Sequence, residues 1–361
     1  MPFLPGLELA GEYYARVVRP LLDEAFPGLR HCAARLGEGS EVLGFDTERS
    51  TDHDWGPRLQ IFLADDDAGP HAAGVTAMLA ECLPAAFRGY PTAYELTADP
   101  GGGARHRVEV VGLGAWLAGR LGFDPRHAVT LLDWLSTPAQ RLAEMTAGAV
   151  FHDGLGELDA VRAALAWYPP DVWRYVLACQ WQCVAQEEGF PGRCAEAGDE
   201  LGSAVVTARL ARDLMRLGLL MRRRYPPYSK WLGTAFARLP DAARLVPPLA
   251  AAVSATRWPA RERSLVQALE AAAAWHNELG LTGLLDTAAR GFFDRPYQVL
   301  EAGRFAAALR DEVADPRIRH LPATGAVDQF VDSTDALRNV ESMRAVVAAI
   351  YRLPAGASSG S

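Results

Sequence analysis

The sequence predicts an α+β protein in which a small mixed α/β domain precedes an all-helical domain. In the first part of the chain, segments with alternating or continuous apolar residues indicate strands, most clearly at 58–63 and 105–111. Further on, apolar residues recur at spacings of three and four, and prolines end one helical stretch after another. We therefore predict a mixed-sheet domain at 1–122, a helical bundle domain at 123–355 and a flexible tail at 356–361.

The elements of the first domain follow from local patterns. Apolar residues at helical spacing open the chain, and Pro27-Gly28 ends that stretch. Clusters of Gly, Pro, Asp and Ser then separate short apolar runs, as they do between strands and helices. In chain order, the predicted elements are a helix over 6–26, a strand over 31–36, a turn over 37–40, a loop over 45–57, a strand over 58–63, a turn over 65–70, a helix over 71–83 and a strand over 105–111.

Composition and charge limit the class of protein. Half of the 361 residues are apolar and 22% are charged, which is typical of a globular chain. The net charge of −8 argues against a protein whose whole surface binds nucleic acid. The five cysteines form no CxxC pair, and Cys179 and Cys183 are expected in a helical core. With no signal-peptide layout and no apolar run long enough to span a bilayer, we expect a cytoplasmic protein.

One constellation of residues indicates metal and phosphate chemistry. Carboxylates two residues apart on an extended segment point to the same side, and a third comes from a later strand. Such converging carboxylates repel one another unless cations lie between them, and Mg²⁺ prefers oxygen ligands that it shares with phosphates. A preceding Gly-Ser turn can donate backbone and hydroxyl hydrogen bonds to phosphate oxygens. The residues concerned are Gly39, Ser40, Asp52, Asp54 and Glu109.

This pattern resembles the nucleotidyltransferase superfamily, which has the polymerase-beta-like fold. The signature of that superfamily is a Gly-Ser turn, a gap of about ten residues, an Asp-x-Asp pair and a third carboxylate on a later strand. With this pattern and a helical C-terminal half, the chain is similar to antibiotic nucleotidyltransferases of the kanamycin or lincosamide kind. It looks closer still to an uncharacterised bacterial group of two-domain proteins known only as a domain of unknown function.

The resemblance implies transfer of a nucleoside monophosphate from a nucleoside triphosphate to a hydroxyl of a small molecule. We expect the triphosphate to be ATP and the transferred group to be AMP. Pyrophosphate leaves in this reaction. Asp52 and Asp54 would hold two Mg²⁺ ions, and Glu109 would either complete the metal site or act as general base. Gly39 and Ser40 would bind the β- or γ-phosphate.

A second candidate site lies on the helical part. Between residues 209 and 230, six arginines and Lys230 stand against a single acidic residue, Asp213, and Lys230 is the only lysine of the chain. One interpretation is a basic wall that faces the nucleotide or a nucleic-acid acceptor; the other is a helix face neutralised by acidic neighbours. Helical domains of similar nucleotidyltransferases often send a basic residue to the phosphates, so the resemblance assigns Lys230 to the nucleotide; the alternative is a surface lysine left by chance. Arg223, which extends the basic helix face, is assigned to the nucleotide as part of the basic wall.

Two other functions remain open from the sequence. Nucleotidyl transfer to RNA or protein is supported by the basic segment and opposed by the overall acidity. A catalytically silent nucleotide-binding or interaction module is opposed by the intact carboxylates. Four further clusters are expected either to line an acceptor pocket or to pack and cap: His152-Asp153, Trp181-Gln182, His276-Asn277-Glu278 and Arg295-Pro-Tyr297.

Overall fold

The computed structural model describes residues 3–52, 55–95 and 104–354, apart from the side chains of Asp52, Glu95 and Ala104. Within it the chain forms two compact units. The first comprises Met1–Asp133 and Arg141–Ala166, and the second comprises Trp134–Gln140 and Trp167–Ser361. The boundary between 122 and 123 stays a prediction, and the tail predicted at 356–361 lies outside the described residues.

The first unit is built on a small mixed sheet. Its strands are β1 (His31–Arg35), β2 (Leu59–Leu63), β3 (Ala86–Phe87), β4 (Tyr90–Pro91), β5 (Ala93–Glu95), β6 (Ala104–His106), β7 (Val108–Gly112) and β8 (Ala149–Asp153). Four of them form one sheet in the order β7-β2-β1-β8. In this sheet β1 is antiparallel to β2 and β8, whereas β2 and β7 are parallel. The pairs β3-β4 and β5-β6 are short antiparallel ribbons.

Helices cover the sheet of the first unit. They are α1 (Gly6–Tyr13), α2 (Arg19–Ala25), α3 (Asp65–Cys82), α4 (Leu113–Leu121), α5 (Leu131–Ser136), α6 (Ala139–Thr146) and α7 (Leu158–Ala164), and the division between the units crosses α5 and α6. Alternate residues of β2, namely Leu59, Ile61 and Leu63, face an apolar core that they share with Val75 and Leu79 of α3. The intervening residues of β2 therefore point to the opposite face of the sheet.

The second unit is mainly helical. Its helices are α8 (Pro170–Glu187), α9 (Phe190–Glu196), α10 (Glu200–Met221), α11 (Ser229–Ala237), α12 (Val246–Ser254), α13 (Trp258–Glu278), α14 (Gly303–Asp311), α15 (Pro316–Arg319), α16 (Val327–Phe330), α17 (Thr334–Arg338) and α18 (Val340–Tyr351). The long helix α10 packs against α8 and α13, with apolar residues such as Leu210, Leu214 and Leu217 on its buried side. Among the described residues, no helix is both long enough and apolar enough to cross a membrane.

The strands predicted near 31–36 and 58–63 are confirmed, but the helical domain predicted from residue 123 is not wholly helical. Strand β8 lies in that region and pairs with β1, and β9 (Arg290–Gly291) and β10 (Gln298–Val299) form a short antiparallel ribbon. Local periodicity could not reveal β8, because a five-residue strand is defined here by a partner that is distant in the sequence.

Two boundaries in the first unit also differ from the prediction. The acidic stretch that begins at Asp65 was predicted as a turn over 65–70, but it is helical. It forms the first turn of α3, where carboxylates are favoured by the helix dipole. The strand predicted over 105–111 is divided at Arg107 into β6 and β7.

Candidate functional site

The predicted Gly-Ser turn follows directly from β1. Gly39 has φ +150°, and a Cβ at this position would lie 2.5 Å from Oε2 of Glu41 and 2.6 Å from Nη2 of Arg35. Residue 39 therefore has to be glycine. No helix begins at Ser40; residues 40–44 form a hydrogen-bonded turn, in which the Phe45 amide donates to the Ser40 carbonyl at 2.8 Å.

A buried ion cluster lies beside this turn. One carboxylate oxygen of Glu41 accepts from Nε of Arg35 at 2.9 Å and from Nε of Arg58 at 2.8 Å. Both guanidinium groups also approach that oxygen through Nη2, at 2.8 Å and 2.7 Å. Arg35 additionally donates to the Leu36 and Glu38 carbonyls. The cluster thus holds the residues on both sides of the Gly39-Ser40 turn in place. We did not predict this role, because the three side chains come together only when the chain is folded.

The acidic segment stands before β2. Residues Glu48–Asp52 form a 3-10 turn, and Asp54 lies outside the described residues, as does the side chain of Asp52. Trp55, the residue after Asp54, is buried, and its indole N–H donates to Asp46 at 3.1 Å. Its carbonyl accepts from the Tyr94 hydroxyl at 3.0 Å. The chain is therefore fixed at the residue that follows the predicted acidic pair.

Glu109 is an exposed residue of β7, as the alternation of its strand predicts. It stands in register with Gln60 of β2, and in-register residues of parallel strands project from the same face of a sheet. This face is opposite to the one that buries Leu59 and Ile61.

Strand directions bring the three motif segments to one edge of the sheet. The carboxyl end of β1, from which the Gly-Ser turn leaves, lies beside the amino end of β2, because the two strands are antiparallel. The amino end of β7, with Glu109 as its second residue, lies at the same edge because β7 is parallel to β2. Over the ranges that the structure describes, no group of three His, Cys, Asp or Glu side chains could by itself hold a metal ion. The aspartate pair of the predicted metal site is not among the side chains so described.

The basic face of α10 is neutralised within the second unit. Arg209 pairs with Glu187 at 3.1 Å, and Arg212 pairs with Asp332 at 2.7 Å. Arg216 donates to the backbone carbonyl of Asp328 at 2.5 Å, and its guanidinium lies 3.6 Å from the carboxylate of the same residue. These three arginines thus have partners within the unit, as expected for a helix face neutralised by acidic neighbours.

Arg223 and Lys230 are both exposed, and each lies close to a tryptophan ring. The guanidinium of Arg223 lies 4.5 Å from the ring centre of Trp173, and the residue adopts φ +52°. The ammonium of Lys230 lies 4.9 Å from the ring centre of Trp231. The assignment of both cations to the nucleotide stays a prediction.

The four weaker clusters take part in packing and capping. Asp153 accepts a hydrogen bond from the Cys32 thiol at 2.8 Å and caps backbone amides of the following loop. Arg295 pairs with Glu196 at 2.7 Å. Trp181 is fully buried, and its indole N–H donates to Nδ1 of His276 at 3.2 Å. Burial also raises the pKa of the predicted core thiol Cys179 to about 12.

The His276 contacts predict a pH-dependent stability. Because the Trp181 N–H can only donate, Nδ1 accepts and Nε2 carries the proton toward Thr282, at 3.0 Å. Burial lowers the pKa of His276 to about 4, against about 6.5 in an unfolded chain. Between these values the unfolded chain binds more protons, so the free energy of unfolding should fall as the pH drops from about 6.5 to about 4, by up to ~3 kcal/mol.

Urea unfolding monitored by tryptophan fluorescence at several pH values measures this dependence. His276→Gln should flatten the profile in that window. The matched substitution of an exposed histidine of the same unit, His320→Gln, should leave it unchanged. Equal profiles for wild type and His276→Gln would show that His276 does not cause the dependence.

Comparison with known proteins identifies an uncharacterised domain and a solved structure. A crystal structure of a nucleotidyltransferase-like protein from Exiguobacterium sibiricum 255-15 aligns over 84% of this chain and 90% of its own, at 13% identity and a TM-score of 0.33. None of the curated proteins matches the chain. Residues 134–232 match the family model described as Domain of unknown function (DUF4037). Over those residues the chain is thus similar to an uncharacterised domain, in agreement with the resemblance to a group of unknown function.

Proposed function

We propose that the protein is a metal-dependent nucleotidyltransferase that moves a nucleoside monophosphate, AMP in the leading case, from a nucleoside triphosphate to a hydroxyl of a small molecule. The observation that carries the proposal is the meeting of three segments at one edge of the sheet. The Gly39-Ser40 turn follows β1 there, the segment that contains the acidic pair leads into β2, and Glu109 is the second residue of β7. Nucleotidyl transfer needs all three segments, because the turn would bind phosphates and the other two segments supply the carboxylates.

The donor set fits a hard divalent cation, because all of its members are carboxylates and that of Glu109 is exposed. Asp52, Asp54 and Glu109 would hold Mg²⁺, in the two-ion arrangement that the superfamily resemblance implies. Bound there, it would neutralise the triphosphate and lower the pKa of the acceptor hydroxyl.

The residues of the chain orient the reactants. Backbone amides at Gly39 and the Ser40 hydroxyl donate to the β- or γ-phosphate. The resemblance also assigns Lys230 to the triphosphate, and Arg223 is assigned to it as an extension of the basic helix face. The acceptor oxygen then bonds to the α-phosphorus, the bond from that phosphorus to the bridging oxygen breaks, and pyrophosphate leaves with the electron pair. Glu109 either completes the metal site or accepts the hydroxyl proton.

A nucleic-acid acceptor is less well supported than a small molecule. The feature that favoured it was the basic segment of residues 209–230, and three of its arginines are paired with carboxylates or carbonyls of the same unit. Phosphate binding by these side chains would have to compete with those contacts.

Nucleotide binding and pyrophosphate release test the proposal. Purified protein is mixed with labelled ATP, GTP, CTP or UTP in Mg²⁺, and again after EDTA treatment. We expect one of the four to bind with Mg²⁺ and not after its removal, and pyrophosphate to appear when hydroxyl-bearing small molecules are added. If none of the four binds in Mg²⁺, the proposed function is wrong.

A further inference from the structure

A buried glutamine connects the Gly-Ser turn to the sheet. Gln60 is the only polar residue of β2, and its side chain points away from the apolar core. Its carboxamide oxygen accepts from the backbone N–H of Leu36 at 3.1 Å, and its amide nitrogen donates to the Leu36 carbonyl at 3.3 Å. Both residues are buried. One side chain thus binds both backbone groups of a single residue.

The position of Leu36 gives these two bonds their importance. The ladder between β1 and β2 has Ala34 and Gln60 as its last paired residues, so Leu36 lies just beyond it. The carboxamide of Gln60 makes the two hydrogen bonds that a backbone residue of a longer β2 would make to Leu36. It therefore holds Leu36 at the point where the chain leaves the sheet. From there only Gly37 and Glu38 separate the fixed residue from Gly39.

Gln60 also stands next to the other half of the candidate site. It is in register with Glu109 on the adjacent strand, on the same face of the sheet. Gln60 therefore links the residue that precedes the phosphate-binding turn to the position beside Glu109, in addition to the contact that Arg35 makes with the Leu36 carbonyl.

We propose that Gln60 is a positioning residue for nucleotide binding, which holds the Gly39-Ser40 turn in register with Glu109 through its two bonds to Leu36. The inference rests on the proposed function. A turn that binds the β- or γ-phosphate already holds the nucleotide before transfer begins. Loss of its alignment should therefore raise KM, with a smaller fall in kcat because the leaving pyrophosphate gains negative charge during transfer.

The test compares two substitutions on the same strand and the same face. Gln60→Met keeps the length of the side chain and removes both hydrogen bonds. Phe62→Leu is the control, because Phe62 packs against Trp116, with ring centres 4.9 Å apart, and makes no contact of this kind with the turn. Each variant is measured for stability in urea, for KM and kcat with the nucleoside triphosphate that the wild type binds, and for amide hydrogen exchange over residues 37–44.

We expect Gln60→Met to raise KM about tenfold, as the loss of about one hydrogen bond from the displaced turn to a phosphate would, with kcat changed less than about threefold. The amides of 37–44 should exchange faster in this variant. Phe62→Leu should lose stability without a change in KM. If Gln60→Met does not fold, Gln60→Asn, which keeps the amide but is too short to reach both groups, should show a smaller rise in KM.

Two results would overturn the inference: an unchanged KM in the folded glutamine variant, or an equal rise in KM in Phe62→Leu. If the wild type binds none of the four nucleoside triphosphates, the proposed function fails by itself. Amide exchange without nucleotide then decides the role of Gln60, because unchanged exchange over 37–44 in Gln60→Met shows that it does not hold the turn.

Discussion

Replacing both Asp52 and Asp54 by asparagine should lower the turnover of nucleotidyl transfer at least about a thousandfold. Carboxylates that hold Mg²⁺ supply several kcal/mol of stabilisation to the charge of a transferring phosphoryl group, and each ~1.4 kcal/mol corresponds to a factor of ten in rate. Asparagine keeps the size of the side chain but removes the negative charge. The measurement is pyrophosphate release under saturating Mg²⁺ and nucleotide.

The fold should survive this double substitution. Carboxylates placed for a cation repel one another when the cation is absent, so neutral side chains remove a repulsion. A matched control is available in Asp66→Asn with Asp67→Asn, which makes the same change of charge in the first turn of α3. That pair should lose only the helix-dipole contribution to stability, about 0.3–1 kcal/mol for each residue, and no activity. Full metal-dependent nucleotide binding and turnover in Asp52→Asn/Asp54→Asn would refute the assignment of the acidic pair.

Local pattern predicted much of the first unit, because β1 and β2 are apolar runs that are buried throughout and β7 begins with a buried and an exposed residue. The alternation around Glu109 places this carboxylate on the face opposite to Val108, and the structure confirms the alternation. A turn near 37–40 was also predicted, since glycine and serine after an apolar strand favour turns, and the structure has bends at 37–38 and a hydrogen-bonded turn at 40–44. These features depend on residues close together in the chain.

Features that depend on distant partners could not be predicted in this way. The charge of the segment 209–230 left open whether its arginines form a basic wall or are neutralised, because the partners Glu187, Asp328 and Asp332 are distant in the sequence. Gln60 offered a weak signal, as one amide within an apolar strand, yet its role depends on Leu36 in another strand segment. Side-chain hydrogen bonds of this kind form only when the topology is in place.

The buried carboxylate of Glu41 offers the largest expected effect on stability. Its side chain is 3% exposed and that of Arg35 is 4% exposed, and both Arg35 and Arg58 donate to the same oxygen. Removal of one partner from a buried ion pair costs about 3–5 kcal/mol, because the charge that remains has lost its counter-charge in a region poor in water. Glu41→Ala should therefore lower the free energy of unfolding by that amount.

Urea unfolding measures this loss, and an exposed ion pair of the same unit provides the control. Arg88 and Glu12 approach to 2.7 Å, but their side chains are 45% and 27% exposed, so Glu12→Ala should cost less than ~1 kcal/mol. Equal losses in the two variants would contradict a structural role for the buried cluster. Because Glu41 also lies against Gly39, the folded fraction of Glu41→Ala should bind nucleotide more weakly than Glu12→Ala does. Stability and phosphate binding are thus linked at this turn, since the ion cluster that stabilises the first unit also determines the path of the backbone whose amides would contact the triphosphate.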